Sequence, residues 1–188
     1  MTMYLLDTNA YFKYLHYLAK QHIADNASIE VLKNNQCCIS EITWIEIISV
    51  IGKYARGVGS VKSKCNCIIS EKGDTCSNYK FGQKVKWPPK RVKAWLKMVR
   101  EIRNGTSTLV AISTIALTPG TITIAQDVII HSLKHKFGSL DSIIGATARI
   151  VGSNGDECIL VTSDRGFCSG LKLAKIPYED FLSDVKVS

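Results

Sequence analysis

No run of apolar residues in this chain approaches the roughly 20 that a membrane-spanning helix requires; residues 109–117 form one of the longest and stop well short. That excludes a helical membrane span. No export leader is expected either, because residues 1–6 have no basic start and Asp7 interrupts the apolar run. The paired cysteine spacing of a secreted scaffold is also absent. The 7 cysteines are odd in number, so they are expected as mostly reduced thiols in a cytoplasm. No internal repeat or low-complexity segment stands out. With 46% apolar and 21% charged residues, global disorder is excluded, and 188 residues suffice for one domain with a sizeable core.

Acidic residues are scarce where basic ones gather. Residues 53–103 hold 14 of the 24 Lys and Arg but 3 of the 16 Asp and Glu, a net of +11. The remaining 10 basic and 13 acidic residues give −3. A mildly acidic body thus carries a basic flap. Such a flap suits a polyanion such as RNA or DNA, and equally a solvated lysine-rich face. Charge by itself leaves both open.

Short apolar strands alternate with helical patterns. Tyr4-Leu5-Leu6 reads as a buried strand ending at Asp7, with Asn9 as N-cap for a helix bearing Tyr11, Tyr14, Leu15 and Leu18. A helix over 27–34 and a strand at Cys37-Cys38-Ile39 follow. Ser40 caps a helix over 41–54 that stops at Gly57. Residues 57–89 read as an insertion or long loop, with Pro89 in the first turn of a helix over 91–103 whose inner face is Val92, Trp95, Leu96, Val99 and Ile102. A strand is expected over 108–117, a turn at Thr118-Pro119-Gly120, and helices over 123–136 and 140–151. A strand over 158–162 stops at Asp164, and a short helix over 178–182 closes the chain. The alternation predicts an α/β fold with a parallel sheet covered on both faces.

Four carboxylates stand out. Asp7 and the Asp164 of Leu160-Val161-Thr162-Ser163-Asp164 follow buried strands, and the carboxyl ends of parallel strands open onto the ligand crevice. Glu46 lies in Ile42-Thr43-Trp44-Ile45-Glu46-Ile47-Ile48, a helix so apolar that its carboxylate is expected to be shut away from water. Burying it without a cation or strong donors would cost several kcal/mol. Asp141 opens a helix in which small Gly145 and Ala146 allow close approach of neighbouring backbone. Singly, each acid has an ordinary explanation: a strand end, a helix start, a turn at Asp164-Arg165-Gly166, an ion pair for Glu46. Together they share one, since acids gathered at a crevice repel one another and a hard dication such as Mg²⁺ removes that repulsion.

The order and spacing of Tyr4-Leu5-Leu6-Asp7-Thr8-Asn9, Ser40-Glu41-Ile42-Thr43-Trp44-Ile45-Glu46, Leu140-Asp141-Ser142-Ile143-Ile144-Gly145-Ala146-Thr147-Ala148 and Leu160-Val161-Thr162-Ser163-Asp164-Arg165-Gly166-Phe167 resemble the PIN domain. Within that family they resemble the VapC-type toxins of toxin–antitoxin pairs. The likeness runs from Met3 to about Leu182 and leaves out 57–89, the part that makes this chain longer than the common toxin. It implies a single PIN-like domain over 1–188, a three-layer α/β/α fold with a short parallel sheet, and a basic cysteine-containing insertion at 57–89. It also implies an endoribonuclease dependent on Mg²⁺ or Mn²⁺, with Asp7, Glu46, Asp141 and Asp164 as catalytic and metal-holding residues. Thr8, expected to hold Asp7, stands behind them with Asn9 and Thr162. An antitoxin partner, a homodimer and an RNA substrate are implied as well. The same resemblance covers housekeeping RNA-processing nucleases and RNA-binding modules that have lost activity; a DNA-directed flap nuclease is a more distant alternative.

Lys84, Lys86, Lys90 and Arg91 are the expected phosphate contacts, and Tyr79, Trp87 and Trp95 among the lysines offer rings for base stacking, although Trp95 suits the inner face of its helix. Cys65, Cys67 and Cys76 supply three thiols where structural zinc wants four ligands, so reduced thiols or a local disulfide are expected in preference to Zn²⁺. His131 and His135 lack the glutamate of the metalloprotease pattern and read as surface histidines, and Asp127 as solvated.

Overall fold

The computed structural model describes residues 2–20, 27–57, 62–64, 79–81, 86–155, 157–180 and 182. Along the chain lie β1 (Thr2–Leu6), α1 (Thr8–Lys20), α2 (Ala27–Lys33), β2 (Gln36–Ser40), α3 (Glu41–Arg56), β3 (Lys62–Lys64), β4 (Tyr79–Phe81) and α4 (Pro89–Arg103). Then come β5 (Ile112–Ile115), α5 (Pro119–Ile129) running into a 3-10 turn (Ile130–Leu133), α6 (Ser139–Ser153), β6 (Glu157–Val161), α7 (Arg165–Leu173) and β7 (Tyr178–Glu179). The chain divides into two compact units: Met1–Ile47 with Val99–Ser188, and Ile48–Met98. None of the described helices is long and apolar enough to cross a membrane.

The first unit is built on a five-stranded sheet in the order β5-β2-β1-β6-β7. Every pairing in it is parallel. β1 is central, with Leu5 opposite both Cys38 and Leu160. Those three residues share a core with Val128, Ile144, Ala148, Phe167 and Leu171, so α5, α6 and α7 cover that face. Alternate residues point the other way, and Leu6, Ile39 and Val161 are equally inaccessible. Burial on both faces explains why these strands are apolar throughout. α1 and α2 pack against β1 and β2.

Four elements of the first unit depart from the sequence expectation. The segment expected as a closing helix over 178–182 is instead β7, parallel to β6. Leu160 N–H donates to Pro177 O and Thr162 N–H to Glu179 O, so pairing satisfies backbone groups that β6 would otherwise bury unpaired. Asp164-Arg165-Gly166 is the start of α7 and not merely a turn. Thr118-Pro119-Gly120 likewise begins α5, where Thr118 and Thr121 cap each other and Pro119 occupies the first helical turn. The strand expected over 108–117 shrinks to β5.

In the second unit β3 and β4 form a short antiparallel pair, Lys62 opposite Phe81, where a loop was expected. Gly57, at φ 100°, ends α3 in the left-handed region. Trp87 N–H donates to Tyr54 O at 3.0 Å. Its ring stacks on Tyr54 at 4.5 Å, tilts against Trp95 at 5.0 Å, and carries the Arg91 guanidinium 4.4 Å from its centroid. Trp87 and Trp95 are therefore buried core residues and unavailable as stacking platforms for bases.

Candidate active site

Asp7 ends β1 and starts α1. Its backbone O accepts Tyr11 N–H at 2.8 Å and its Oδ1 accepts Ala10 N–H at 2.6 Å, so Asp7, and not the exposed Asn9, caps the helix. Two neighbouring strands then bring a second acid to the same end of the sheet. Val161 O accepts Asp7 N–H, and beyond β6 Asp164 caps α7 through Oδ1 and Phe167 N–H at 3.0 Å. Thr162 links the two. Its hydroxyl donates to Asp7 Oδ2 at 2.5 Å and accepts Asp164 N–H at 3.1 Å.

Asp141 lies in the first turn of α6, where its Oδ2 accepts Gly138 N–H at 2.7 Å. One turn on, the space around Gly145 is filled by the side chains of Leu171, Val128 and Ile176 rather than by backbone, contrary to expectation. The small residue seats α6 on α5 and α7.

Asp7 is 3% exposed. Burial pushes its pKa from 3.8 up to about 7; the Ala10 N–H and the Thr162 hydroxyl pull it down, and the charges of Asp141 and Asp164 push it up. Burial also raises Asp141, opposed by Gly138 N–H and reinforced by Asp164. The three carboxylates thus repel one another across a shared space. Among the described residues no group of three Asp, Glu, His or Cys side chains is drawn in to the spacing of ligands around one ion. The donors present are hard carboxylate and hydroxyl oxygens, which suit Mg²⁺ or Mn²⁺ and not a soft metal.

Glu46 differs from its expectation. The apolar helix α3 leaves Ile45 64% and Ile48 50% exposed, and Glu46 itself is half-buried, because the apolar residues of α3 are not confined to its inner face. Thr8 also differs: its hydroxyl donates to Glu46 Oε2 and not to Asp7, whose hydroxyl partner is Thr162. The two threonines each steady a different acid.

Sequence reasoning passed over three residues at this end of the sheet. Lys13 Nζ donates to Ser163 Oγ at 3.1 Å and to Leu182 O at 2.7 Å, tying the loop beside Asp164 to α1. Asp180 follows β7 as Asp7 follows β1; reading β7 as a helix hid it. Cys168 Sγ lies 3.9 Å from Thr162 O, and its pKa is pushed up to about 11 by burial and by Asp180, Asp164 and Asp7. Gly166 has no room for a side chain, because the Lys136 carbonyl occupies that space. The four described cysteines, Cys37, Cys38, Cys158 and Cys168, are free thiols.

Of the expected phosphate contacts, Lys86 and Lys90 are exposed, while Arg91 is turned onto Trp87. Lys84 lies outside the described residues, as do Cys65, Cys67 and Cys76 and the zinc question with them. His131 and His135 fall in the 3-10 turn and its exit, both half-buried, and Asp127 is exposed.

A sequence comparison with curated proteins finds no match. Among solved structures, FitAB bound to an IR36 DNA fragment is 12% identical, with 95% of each chain covered and a TM-score of 0.53. FitAcB from Neisseria gonorrhoeae is 15% identical over 95% of this chain and 98% of that one, with a TM-score of 0.50. VapBC2 from Rickettsia felis, bound to a promoter DNA fragment, is 17% identical over 94% and 97%, with a TM-score of 0.48. At such identities the first two likenesses speak for the fold alone. The family model of the PIN domain matches residues 4–170, a span holding all four acids and every strand but β1's first two residues and β7, and the chain belongs to the PIN domain family.

Proposed function

We propose that this PIN domain is a Mg²⁺- or Mn²⁺-dependent endoribonuclease and the toxin of a toxin–antitoxin pair. The observation that carries the reading is Asp7. A carboxylate 3% exposed, pushed up to about 7 and crowded by two further acids, is an arrangement that folding alone does not favour and that a cation offsets.

In this reading Asp7, Asp141 and Asp164 hold the cation, with Glu46 completing the set. Thr162 keeps Asp7 turned toward the site, and Thr8 does the same for Glu46. The bound cation supplies positive charge to phosphate oxygens and lowers the pKa of water. Backbone N–H groups at two helix starts hold Asp164 and Asp141 at this end of the sheet, and the side chains would draw in around the ion from there. The antitoxin partner, the homodimer and a cytoplasmic site of action follow from the resemblance to VapC-type toxins.

The test is cleavage of single-stranded RNA by the purified chain. Activity is expected with Mg²⁺ or Mn²⁺, none in EDTA, and none for Asp7→Asn or Glu46→Gln while circular dichroism stays native. Cleavage that persists in EDTA or in the quadruple carboxylate variant overturns the reading. RNA bound but left whole identifies a silent module, and cleavage of DNA in preference to RNA identifies the flap-nuclease class. A small antitoxin-like reading frame beside the gene, whose product suppresses cleavage, supports the toxin assignment over housekeeping RNA processing.

A further inference from the structure

The second unit carries a feature that the acidic site does not use. At 3.6 residues per turn, Lys90, Lys93 and Lys97 of α4 fall within about 60° of one another and opposite Trp95. All three are exposed, whereas Trp95 is buried. Arg91 falls on Trp95's side of the same helix, and its guanidinium rests on Trp87. The aromatic group of Tyr54, Trp87 and Trp95 therefore does two things. It takes one basic residue out of the outward row and fixes the rotation of α4 so that the other three point to solvent.

We infer that Lys90, Lys93 and Lys97 form a ridge that grips the sugar–phosphate backbone of single-stranded RNA without reading its sequence. Successive members of such a row have Cβ atoms about 5–6 Å apart, which suits a regular line of anions in place of one compact anion. Lysine brings a point charge on a flexible stem, suited to phosphate contact without base selection. The surroundings reinforce this. α4 holds six Lys and Arg against one acid, Glu101, which lies one turn beyond Lys97. The choice of RNA rests on the nuclease reading above; the ridge itself rests on the geometry of α4.

The experiment measures binding of the full-length chain to a fluorescent single-stranded oligoribonucleotide in EDTA, so that cleavage plays no part, across a salt series. For single strands each neutralised phosphate contributes about 0.7 to the slope of log affinity against log salt. The variant Lys90→Gln/Lys93→Gln/Lys97→Gln is expected to lose about 2 from that slope and at least tenfold in affinity near 0.1 M salt. A control of equal charge change, Lys134→Gln/Lys172→Gln/Lys175→Gln, is expected to lose less than half as much. An unchanged slope, or equal losses in the two variants, overturns the ridge. So does a variant that keeps RNA but loses polyglutamate, which would assign the row to an acidic protein. A chain that never cleaves RNA yet shows the ridge-dependent slope sinks the nuclease reading and leaves the ridge standing.

Discussion

Thr162 donates its hydroxyl proton to Asp7 Oδ2 at 2.5 Å. Thr162 Oγ1 in turn accepts the backbone N–H of Asp164, so one side chain sets the position of two acids that follow adjacent strands. A hydrogen bond to a charged group is worth about 1.5–3 kcal/mol. Thr162→Val removes it with little change in shape, and Asp7 then rises further above about 7. Divalent-dependent cleavage at pH 7 is expected to fall about 10–100-fold, with partial recovery at pH 9, where Asp7 ionises again. Thr162→Ser should restore the normal profile. A Thr162→Val profile that overlays the native one would remove Thr162 from the machinery.

The raised pKa of Asp7 also has a stability consequence. Between 3.8 and about 7 the folded chain keeps a proton that the unfolded chain has released. The native state binds more protons in that window, so stability falls as pH rises through it and stays lowered above. About three pH units at about 1.4 kcal/mol each set a ceiling of about 4 kcal/mol. Asp7→Asn is expected to stabilise the metal-free protein by about 2 kcal/mol at pH 8, since weaker bonds to Ala10 N–H and Thr162 offset part of the gain. The difference should fade toward pH 4. Denaturant unfolding at the two pH values in EDTA measures it, and an Asn variant less stable at pH 8 contradicts the burial argument.

Added cation should reverse that penalty. Mg²⁺ or Mn²⁺ at about 100 times its dissociation constant is expected to stabilise the fold by about 2.7 kcal/mol, a rise in Tm of about 5–10 °C for a chain of this size. The gain should be larger at pH 8 than at pH 5.5, because the ion must displace the Asp7 proton below about 7. Asp7→Asn should abolish most of it. Calorimetric scans with and without the cation decide this; equal gains in both proteins would place the ion elsewhere.

Two glycines on neighbouring helices should answer oppositely to the same change. A methyl at Gly166 meets the Lys136 carbonyl, and backbone cannot step aside. Gly166→Ala is expected to cost about 2–3 kcal/mol and to loosen the start of α7 at Asp164. A methyl at Gly152, inside α6, finds only Cys158 Cβ at 3.9 Å. Gly152→Ala should therefore stabilise by about 0.5–1 kcal/mol. Paired thermal melts test the contrast.

Local patterns made much of the architecture legible. Leu5 and Leu6, Cys38 and Ile39, and Leu160 and Val161 had to sit in buried parallel strands, because no other short element is apolar on both faces. Asp7 and Asp164 at the ends of two such strands, and Asp141 at a helix start, could be named from position alone. What failed was whatever depended on a partner distant in sequence. β7 exists because β6 offers it backbone groups, and its own two residues carry no such signal. Trp87 looked like a surface aromatic among lysines until Tyr54 and Trp95 enclosed it. The exposure of Ile45 and Ile48 contradicted the simple equation of apolar with buried.

The sequence by itself determined which residues are acidic, which stretches are apolar enough to form the sheet, and where the positive charge collects, since these are properties of composition and short-range periodicity. Only the tertiary structure decided which hydroxyl serves which carboxylate, that Asp7 is squeezed to a pKa of about 7, and which face of α4 looks outward. Each of these depends on groups brought together across tens of residues, where burial and charge act over a few ångströms of space and take no account of distance along the chain.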